Sequence, residues 1–251
     1  MKLSKQERKL HEEALAKLQE GNLLESEREF VYRHLRPEAT TDIGKGSAFF
    51  TPWEIAGDFC IETLGGYDDR PTRILDLCAG YGVLSLRKWL SWWGTPKPDV
   101  TCVEINPEYV AIGKQLFPEA RWICADVFDV SALLAGEKFD EFYSNPPFGS
   151  ISAGVWKGRS GKKPARFEYA VAEIGMQMAE TGTMIGQQGI SDWKFSGCRS
   201  FTRIENAEYS KWSEQSGLIL ANNCGLDCSH TPFNATRIMV DIFNVQRAGE
   251  E

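Results

Sequence analysis

The sequence predicts an α/β fold: a seven-stranded, mostly parallel, doubly wound sheet with an N-terminal helical extension. From about residue 51 onward, short β-rich runs alternate with helical stretches, and the first 36 residues repeat apolar side chains at helical spacing. Strands that alternate with helices of this length pair in parallel and are covered on both faces. The predicted division is an extension, residues 1–46, and a main domain, residues 47–251.

The composition excludes several classes of protein. Of 251 residues, 42% are hydrophobic and 25% are charged, as in folded chains. The net charge of -7 means that any nucleic-acid site has to be a local basic patch. Because no apolar run could span a membrane or act as a secretory signal, we expect a cytoplasmic protein with no membrane partner. An odd number of cysteines fits reduced thiols, four of them in predicted core segments: Cys60, Cys78, Cys102 and Cys124.

The first 36 residues contain two predicted helices. Each opens with a capping-box pattern, one at Ser4 with Glu7 and the other at Asn22 with Glu25. Their apolar positions predict a helical hairpin packed on the main domain, with dimerisation or substrate docking as the alternative role.

Seven strands are predicted in the main domain. The last two are close together in sequence, which suits an antiparallel pair that closes one edge of the sheet. The predicted strands cover residues 73–77, 100–105, 120–124, 139–144, 183–187, 217–221 and 238–245.

The first strand runs into a glycine-containing turn that opens a helix near Val83. Gly80 and Gly82 let the backbone approach a ligand closely, and Asp76 supplies an acceptor at the carboxyl end of the strand. A purely structural turn is the alternative. The turn has no phosphate-loop lysine, which disfavours a nucleoside triphosphate.

The next two strands also end in carboxylates. Glu104 lies 28 residues after Asp76, where an acidic residue can accept both hydroxyls of a ribose. Asp126 ends the third strand and could accept from an adenine amino group. A solvated turn residue is the alternative for each, but three successive strand ends make coincidence less credible.

The fourth strand ends in Ser144-Asn145-Pro146-Pro147-Phe148-Gly149. Consecutive prolines stiffen the chain and remove two amide donors, which leaves the Asn145 side-chain oxygen and backbone carbonyls as acceptors. Such a set can accept both N–H bonds of a planar amino group and hold its nitrogen in line with an electrophile, while Phe148 offers a face for stacking. The alternative is a rigid turn.

These segments resemble the class I S-adenosylmethionine-dependent methyltransferases, and among them the amino-group methylases with an Asn-Pro-Pro-Phe/Tyr motif. The resemblance covers residues 47–149 closely and the rest only in the order of strands and helices. It implies S-adenosyl-L-methionine as cofactor and a catalytic motif of Asn145, Pro146, Pro147 and Phe148. It also implies three groups of cofactor contacts, in addition to Asn145. The methionine-binding turn contains Asp76, Ala79, Gly80 and Gly82; the ribose ligand is Glu104, with Ile105 next to it; and the adenine-binding pair is Asp126 and Val127.

The segment Phe50-Thr51-Pro52 resembles the Phe/Tyr-x-Thr-Pro element of DNA N6-adenine methylases in which the cofactor motif precedes the catalytic one. That element contacts the methionine end of the cofactor, so the resemblance implies this role for all three residues. A helix start, with Thr51 as N-cap and Pro52 in the first turn, is compatible with it.

A basic segment follows the catalytic motif, with five positive charges in residues 157–166. Phosphate neutralisation needs such a patch, and the aromatic residue before it could stack on a displaced base. A solvated loop without a partner is the alternative. The substrate-binding candidates are Trp156, Lys157, Arg159, Lys162, Lys163 and Arg166.

The expected activity is methyl transfer from S-adenosylmethionine to the N6 amino group of adenine in DNA, after the base leaves its stack. About 100 residues follow the motif, whereas the related methylases carry a large recognition domain, so selectivity should be poor or come from a second copy or a specificity partner. Methylation of an RNA base or a protein glutamine, and a non-catalytic cofactor-binding module, remain open. No metal site is expected, because zinc spacing is poor in Cys198, Cys224, Cys228 and His230.

Overall fold

The computed structural model describes residues 3–36, 50–63, 69–148, 154, 156–198, 200–226 and 239–249. The predicted boundary between extension and main domain, at residues 46 and 47, lies outside these residues. The extension contributes helices α1 (Lys5–Glu20) and α2 (Glu25–His34), and α3 (Trp53–Ile61) precedes the first strand. In the described part of the chain, no helix is long and apolar enough to cross a membrane.

The extension is the predicted helical hairpin, with one difference at its second cap. Ser4 and Glu7 form the predicted capping box, since each side chain accepts a hydrogen bond from the other's backbone amide. The prediction for α2 was wrong by two residues: its N-cap is Leu24, whose amide donates to Glu27 Oε2 at 3.0 Å. Asn22 instead takes a left-handed conformation, with φ of 50°, in the turn after α1.

The main sheet has the predicted seven strands in the order β3-β2-β1-β4-β5-β9-β8. Strands β1 to β5 are parallel, and β9 alone runs the other way, pairing with β5 on one side and β8 on the other. The predicted antiparallel pair at one edge is therefore confirmed. The strands are β1 (Arg73–Leu77), β2 (Asp99–Glu104), β3 (Arg121–Cys124), β4 (Phe139–Ser144), β5 (Ala179–Gln187), β8 (Leu218–Gly225) and β9 (Val240–Arg247).

Helices cover both faces of this sheet, and the core divides accordingly. One cluster includes Phe59, Leu86 and Leu116 and joins the sheet to the extension, α3, α4 and α5. The other includes Val171 and Trp212 and joins the sheet to α6, α7 and α8. These helices are α4 (Val83–Ser91), α5 (Pro107–Leu116), α6 (Val130–Leu133), α7 (Phe167–Met178) and α8 (Ala207–Ser216).

The structure differs from the sequence-based expectation in smaller ways. A second sheet of two short strands, β6 (Trp193–Lys194) and β7 (Thr202–Arg203), follows β5 and was not predicted. Cys102 is buried as expected, but Cys124 is exposed because β3 is an edge strand with little cover. The described cysteines Cys60, Cys78, Cys102, Cys124 and Cys198 are free thiols.

Candidate active site

The turn after β1 has a backbone that few side chains tolerate. Cys78, Gly80 and Gly82 have φ of 56°, 58° and 84°, in the left-handed region that favours glycine. A Cβ on Gly82 would lie 2.9 Å from the ring of Trp122, so close packing also requires glycine there. The Gly82 amide donates to the carbonyl of Ala79 at 2.7 Å, which closes the turn.

Asp76 lies beneath this turn and does not face an open pocket. It is 1% exposed and accepts a hydrogen bond from Ser85 Oγ at 2.7 Å, which ties the end of β1 to the first turn of α4. Burial raises the pKa of Asp76 to about 7, against the opposing effect of the Ser85 hydrogen bonds. Asp76 therefore supports the turn from below in this structure.

Glu104 connects the turn to the end of β2. One of its carboxylate oxygens accepts from the Gly80 amide and the other from the Asn106 amide, each at 2.9 Å. The side chain is largely buried, and this burial raises its pKa although the amide hydrogen bonds act in the opposite direction. A carboxylate has about four acceptor positions, so Glu104 can still accept from ligand hydroxyls.

The other three expected nucleoside contacts differ in exposure. Ile105 follows Glu104 and is 63% exposed, an apolar side chain left open at the edge of the sheet. Asp126 accepts from the Phe128 amide at 3.0 Å and caps a short 3-10 turn, whereas Val127 is buried.

Phe50 lies over the glycine turn within a group of aromatic rings. It stacks on Tyr81 with centroids 4.4 Å apart and meets Tyr109 edge-on at 5.0 Å. A Cβ on Gly80 would lie 3.4 Å from the Phe50 ring, so a glycine here keeps the space between the turn and the ring open. Tyr32, from the extension, donates its hydroxyl to the Thr51 carbonyl at 3.0 Å.

The catalytic candidate Asn145 contacts the same segment. Its Nδ2 donates to Thr51 Oγ1 at 2.7 Å, and the preceding Ser144 donates to the Leu77 carbonyl at 2.7 Å. The structure thus brings the Phe-Thr-Pro segment, the glycine turn and the Asn-Pro-Pro segment to the carboxyl edge of the sheet, where parallel strands β1 and β4 end.

Pro52 is the N-cap of α3. The helix-start alternative, which put Pro52 in the first turn, was therefore wrong by one residue. Pro146 is buried and Pro147 is half-buried. The expected open stacking face of Phe148 is not present: the side chain is 6% exposed and belongs to the apolar core, where its hydrophobic ring is removed from water. Gly149 lies outside the described residues.

The two ends of the basic segment contact different elements, and Trp156, directly before it, packs beside the turn that Asp126 caps. Trp156 packs on Phe128, with centroids 5.7 Å apart, and Arg166 forms an ion pair with Glu208 of α8. Lys157, Arg159, Lys162 and Lys163 are exposed in a turn that packs on α7. These contacts place the turn along α7, and the expected position of its cations beside the pocket stays a prediction.

Four residues around the site were missed by the sequence analysis. Tyr81 and Tyr109 surround Phe50, Tyr32 holds Thr51, and Ser85 binds Asp76. Only Tyr81 had a signal in the sequence, as an aromatic residue inside the glycine turn. No cluster of three or more metal-ligating side chains occurs among the described residues. Cys228 and His230 lie outside them, as does the side chain of Cys224.

Known proteins resemble this chain in structure but not in sequence. No protein-family model matches the chain, and no curated protein matches it in sequence. A Listeria monocytogenes protein assigned as a class I S-adenosylmethionine-dependent methyltransferase is similar with a TM-score of 0.64 and 13% identity, over 93% of this chain and 71% of that one.

Two further similar structures carry different methyltransferase assignments. A Pyrococcus horikoshii protein assigned as an RNA methyltransferase has a TM-score of 0.53 and 17% identity, over 89% of this chain and 98% of that one. The methyltransferase subunit of a type I restriction-modification system from Streptococcus thermophilus has a TM-score of 0.54 and 19% identity, over 79% of this chain. The match spans only 45% of that subunit. The chain therefore has the fold of the class I S-adenosylmethionine-dependent methyltransferases.

Proposed function

We propose that this protein is an S-adenosylmethionine-dependent methyltransferase that modifies the N6 amino group of adenine in DNA, with little sequence selectivity of its own. The observation that carries the proposal is the hydrogen bond from Asn145 to Thr51, because it joins the expected catalytic motif to the expected cofactor segment. Asn145 thereby lies next to the edge of the sheet at which the glycine turn and Glu104 meet.

The residues at this edge fit the cofactor in chemistry and in space. Gly80 keeps open a space that a Cβ would fill, Glu104 retains acceptor capacity for ribose hydroxyls, and Ile105 exposes an apolar surface suited to a nucleobase. The resemblance implies further contacts from Phe50, Thr51, Pro52, Ala79, Gly82, Asp126 and Val127, whereas Asp76 would support the turn from below. When bound, S-adenosylmethionine supplies a methyl group that its sulfonium makes electrophilic.

The Asn-Pro-Pro segment would orient the amino group that is methylated. The Asn145 amide oxygen and the Pro146 carbonyl can each accept one N–H bond, which aligns the nitrogen lone pair and favours its pyramidal form. Thr51 accepts from the other end of the Asn145 amide and so restricts its rotation. Because a neutral amine can attack directly, no strong base is needed, and the proton can be lost after transfer.

DNA is favoured over other planar nitrogen substrates by the Phe50-Thr51-Pro52 segment, which resembles the corresponding element of DNA N6-adenine methylases. The fold by itself does not choose the substrate, since a protein assigned as an RNA methyltransferase and a restriction-modification methyltransferase subunit share it. Selectivity would come from a second copy or a specificity partner, because the described residues after the motif form sheet strands, two helices and one small hairpin.

One product analysis tests the proposal. The protein is incubated with methyl-labelled S-adenosylmethionine and, separately, with DNA, RNA and cell protein, and each digest is searched for the labelled product. We expect N6-methyladenine from DNA. A labelled RNA base or methylglutamine would replace the substrate assignment, and absence of transfer to all three would leave a cofactor-binding module.

A further inference from the structure

Glu173 of α7 is a buried carboxylate that joins the basic segment to two helices. Its Oε2 accepts from the Arg159 backbone amide at 2.8 Å, and its Oε1 accepts from the indole Nε1 of Trp212, on α8, at 3.0 Å. The residue is 6% exposed. A buried carboxylate with both oxygens bound to fixed donors holds those donors in place, since releasing either one leaves a polar group unpaired.

The segment held in this way is a tight turn, residues 157–163, which we call the basic turn. Its backbone closes on itself, because the Gly158 amide donates to the Lys162 carbonyl and the Gly161 amide to the Gly158 carbonyl, both at 2.9 Å. A Cβ on Gly158 would lie 2.2 Å from Glu173 Oε2, so a side chain at this position would displace the carboxylate that accepts from the Arg159 amide. The basic turn exposes Lys157, Arg159, Lys162 and Lys163.

The basic turn is displaced from the catalytic edge of the sheet. Helix α7 begins at the edge where β4 ends, and Glu173 lies six residues further along, or about 9 Å down the helix axis. The Arg159 guanidinium extends to the C-terminal end of α8. It lies 4.0 Å from the position that a Cβ would take on Gly217, the C-cap of that helix. Arg159 therefore lies on the face formed by α7 and α8, away from the carboxyl ends of the strands.

We propose that the basic turn binds the phosphate backbone of the nucleic-acid substrate on this face and that Glu173 is its positioning residue. The inference rests on the proposed function, in that the phosphates belong to the strand whose base is methylated. Clustered lysine and arginine side chains neutralise phosphates without reading sequence, which agrees with a methylase of low selectivity.

Replacing Glu173 by Gln separates positioning from charge. Gln has the same shape but only one acceptor oxygen, so either the Arg159 amide or the Trp212 indole loses its partner. The substitution also removes a negative charge beside four cations, and electrostatics alone would then strengthen phosphate binding. If Glu173 positions the basic turn, the affinity must fall instead.

The experiment measures binding of a fluorescein-labelled DNA duplex by anisotropy over a series of salt concentrations, with steady-state methylation in parallel. We expect Glu173→Gln and Gly158→Ala to weaken DNA binding about five- to tenfold and to raise KM for DNA, with kcat and cofactor affinity unchanged. Replacing Lys157, Arg159 and Lys162 together by Ala should lower the slope of log affinity against log salt by about 2 to 3. Glu214→Gln, an exposed change on α8, is the matched control and should bind DNA like the unmodified protein.

The two proposals fail in different ways. If the Glu173→Gln variant binds DNA as tightly as the unmodified protein, or more tightly, the positioning role is overturned, although methylation of DNA would persist. An unchanged salt slope in the triple variant would overturn the phosphate site. Failure of the proposed function would appear in the unmodified protein, as absence of methyl transfer to DNA.

Discussion

Asn145 donates a hydrogen bond from Nδ2 to Thr51 Oγ1 at 2.7 Å, across 94 residues of sequence. The Thr51 carbonyl in turn accepts from the hydroxyl of Tyr32 in the extension. A single buried threonine thus connects three segments. One belongs to the helical hairpin, one precedes the first strand and one follows the fourth strand. The orientation of the Asn145 amide depends on that connection.

Asn145→Ala should reduce methyl transfer by about 100-fold or more, because it removes an acceptor for the amino group at the moment of attack. Cofactor affinity should change little, since Gly80 and Glu104 are untouched. Single-turnover transfer of labelled methyl and calorimetric titration of the cofactor measure the two quantities. Full activity in the variant would remove the catalytic assignment.

Thr51→Val should lower kcat about tenfold. Valine has nearly the same shape but no hydroxyl, so the Asn145 amide loses the acceptor that restricts its rotation. Thr51→Ser keeps the hydroxyl and is the matched control. Equal rates in the Val and Ser variants would show that the hydrogen bond has no part in catalysis.

Glu104→Gln should weaken cofactor binding by about tenfold or more. Its two oxygens accept from the Gly80 and Asn106 amides, whereas Gln offers one oxygen and places an NH2 group against the other donor. Glu108→Gln, an exposed change in the first turn of α5, should leave the affinity unchanged. The same dissociation constant in both variants would contradict a ligand role for Glu104.

Asp76 should make the protein less stable as the pH rises. Burial raises its pKa from 3.8 to about 7, so the folded state holds the proton more tightly than the unfolded state. The resulting stabilisation is complete below about pH 4 and is lost as the pH approaches 7, at 1.36 kcal/mol per unit. Asp76→Asn stays neutral and can still accept from Ser85.

Urea unfolding without cofactor measures this effect. The Asn variant should match the unmodified protein near pH 4 and exceed its free energy of unfolding by up to ~4 kcal/mol at pH 8. A difference between the two proteins that does not vary with pH would show that Asp76 does not titrate in this range.

Tyr32→Phe should lower the free energy of unfolding by about 1 kcal/mol, the usual net contribution of one hydrogen bond. The ring contacts with Tyr81 and Trp53 remain, whereas the bond to the Thr51 carbonyl is lost. A lower kcat in the same variant would show that the extension supports the active site. Unchanged stability would mean that water replaces the hydroxyl at no cost.

Much of the architecture could be predicted because it depends on local patterns. The bounds of β1 and β4 agree with the expected residues 73–77 and 139–144, since continuous apolar runs between turn residues identify buried parallel strands. The β6–β7 hairpin escaped prediction because its strands have two residues each, too short for any periodicity. Leu24 as N-cap of α2 escaped because an apolar side chain gives no capping signal.

Local sequence patterns are enough to predict which polar side chains gather at the edge of the sheet. Asp76, Glu104 and Asn145 lie at or next to strand ends, and parallel pairing brings the ends of β1, β2 and β4 together whatever the loops do. What each of these side chains contacts depends on the packing of distant segments: Asp76 is buried against Ser85, and Asn145 is held by Thr51. The basic turn is likewise held against α7 by Glu173. Such contacts join residues far apart in sequence, and their geometry depends on how helices pack, which no local pattern encodes.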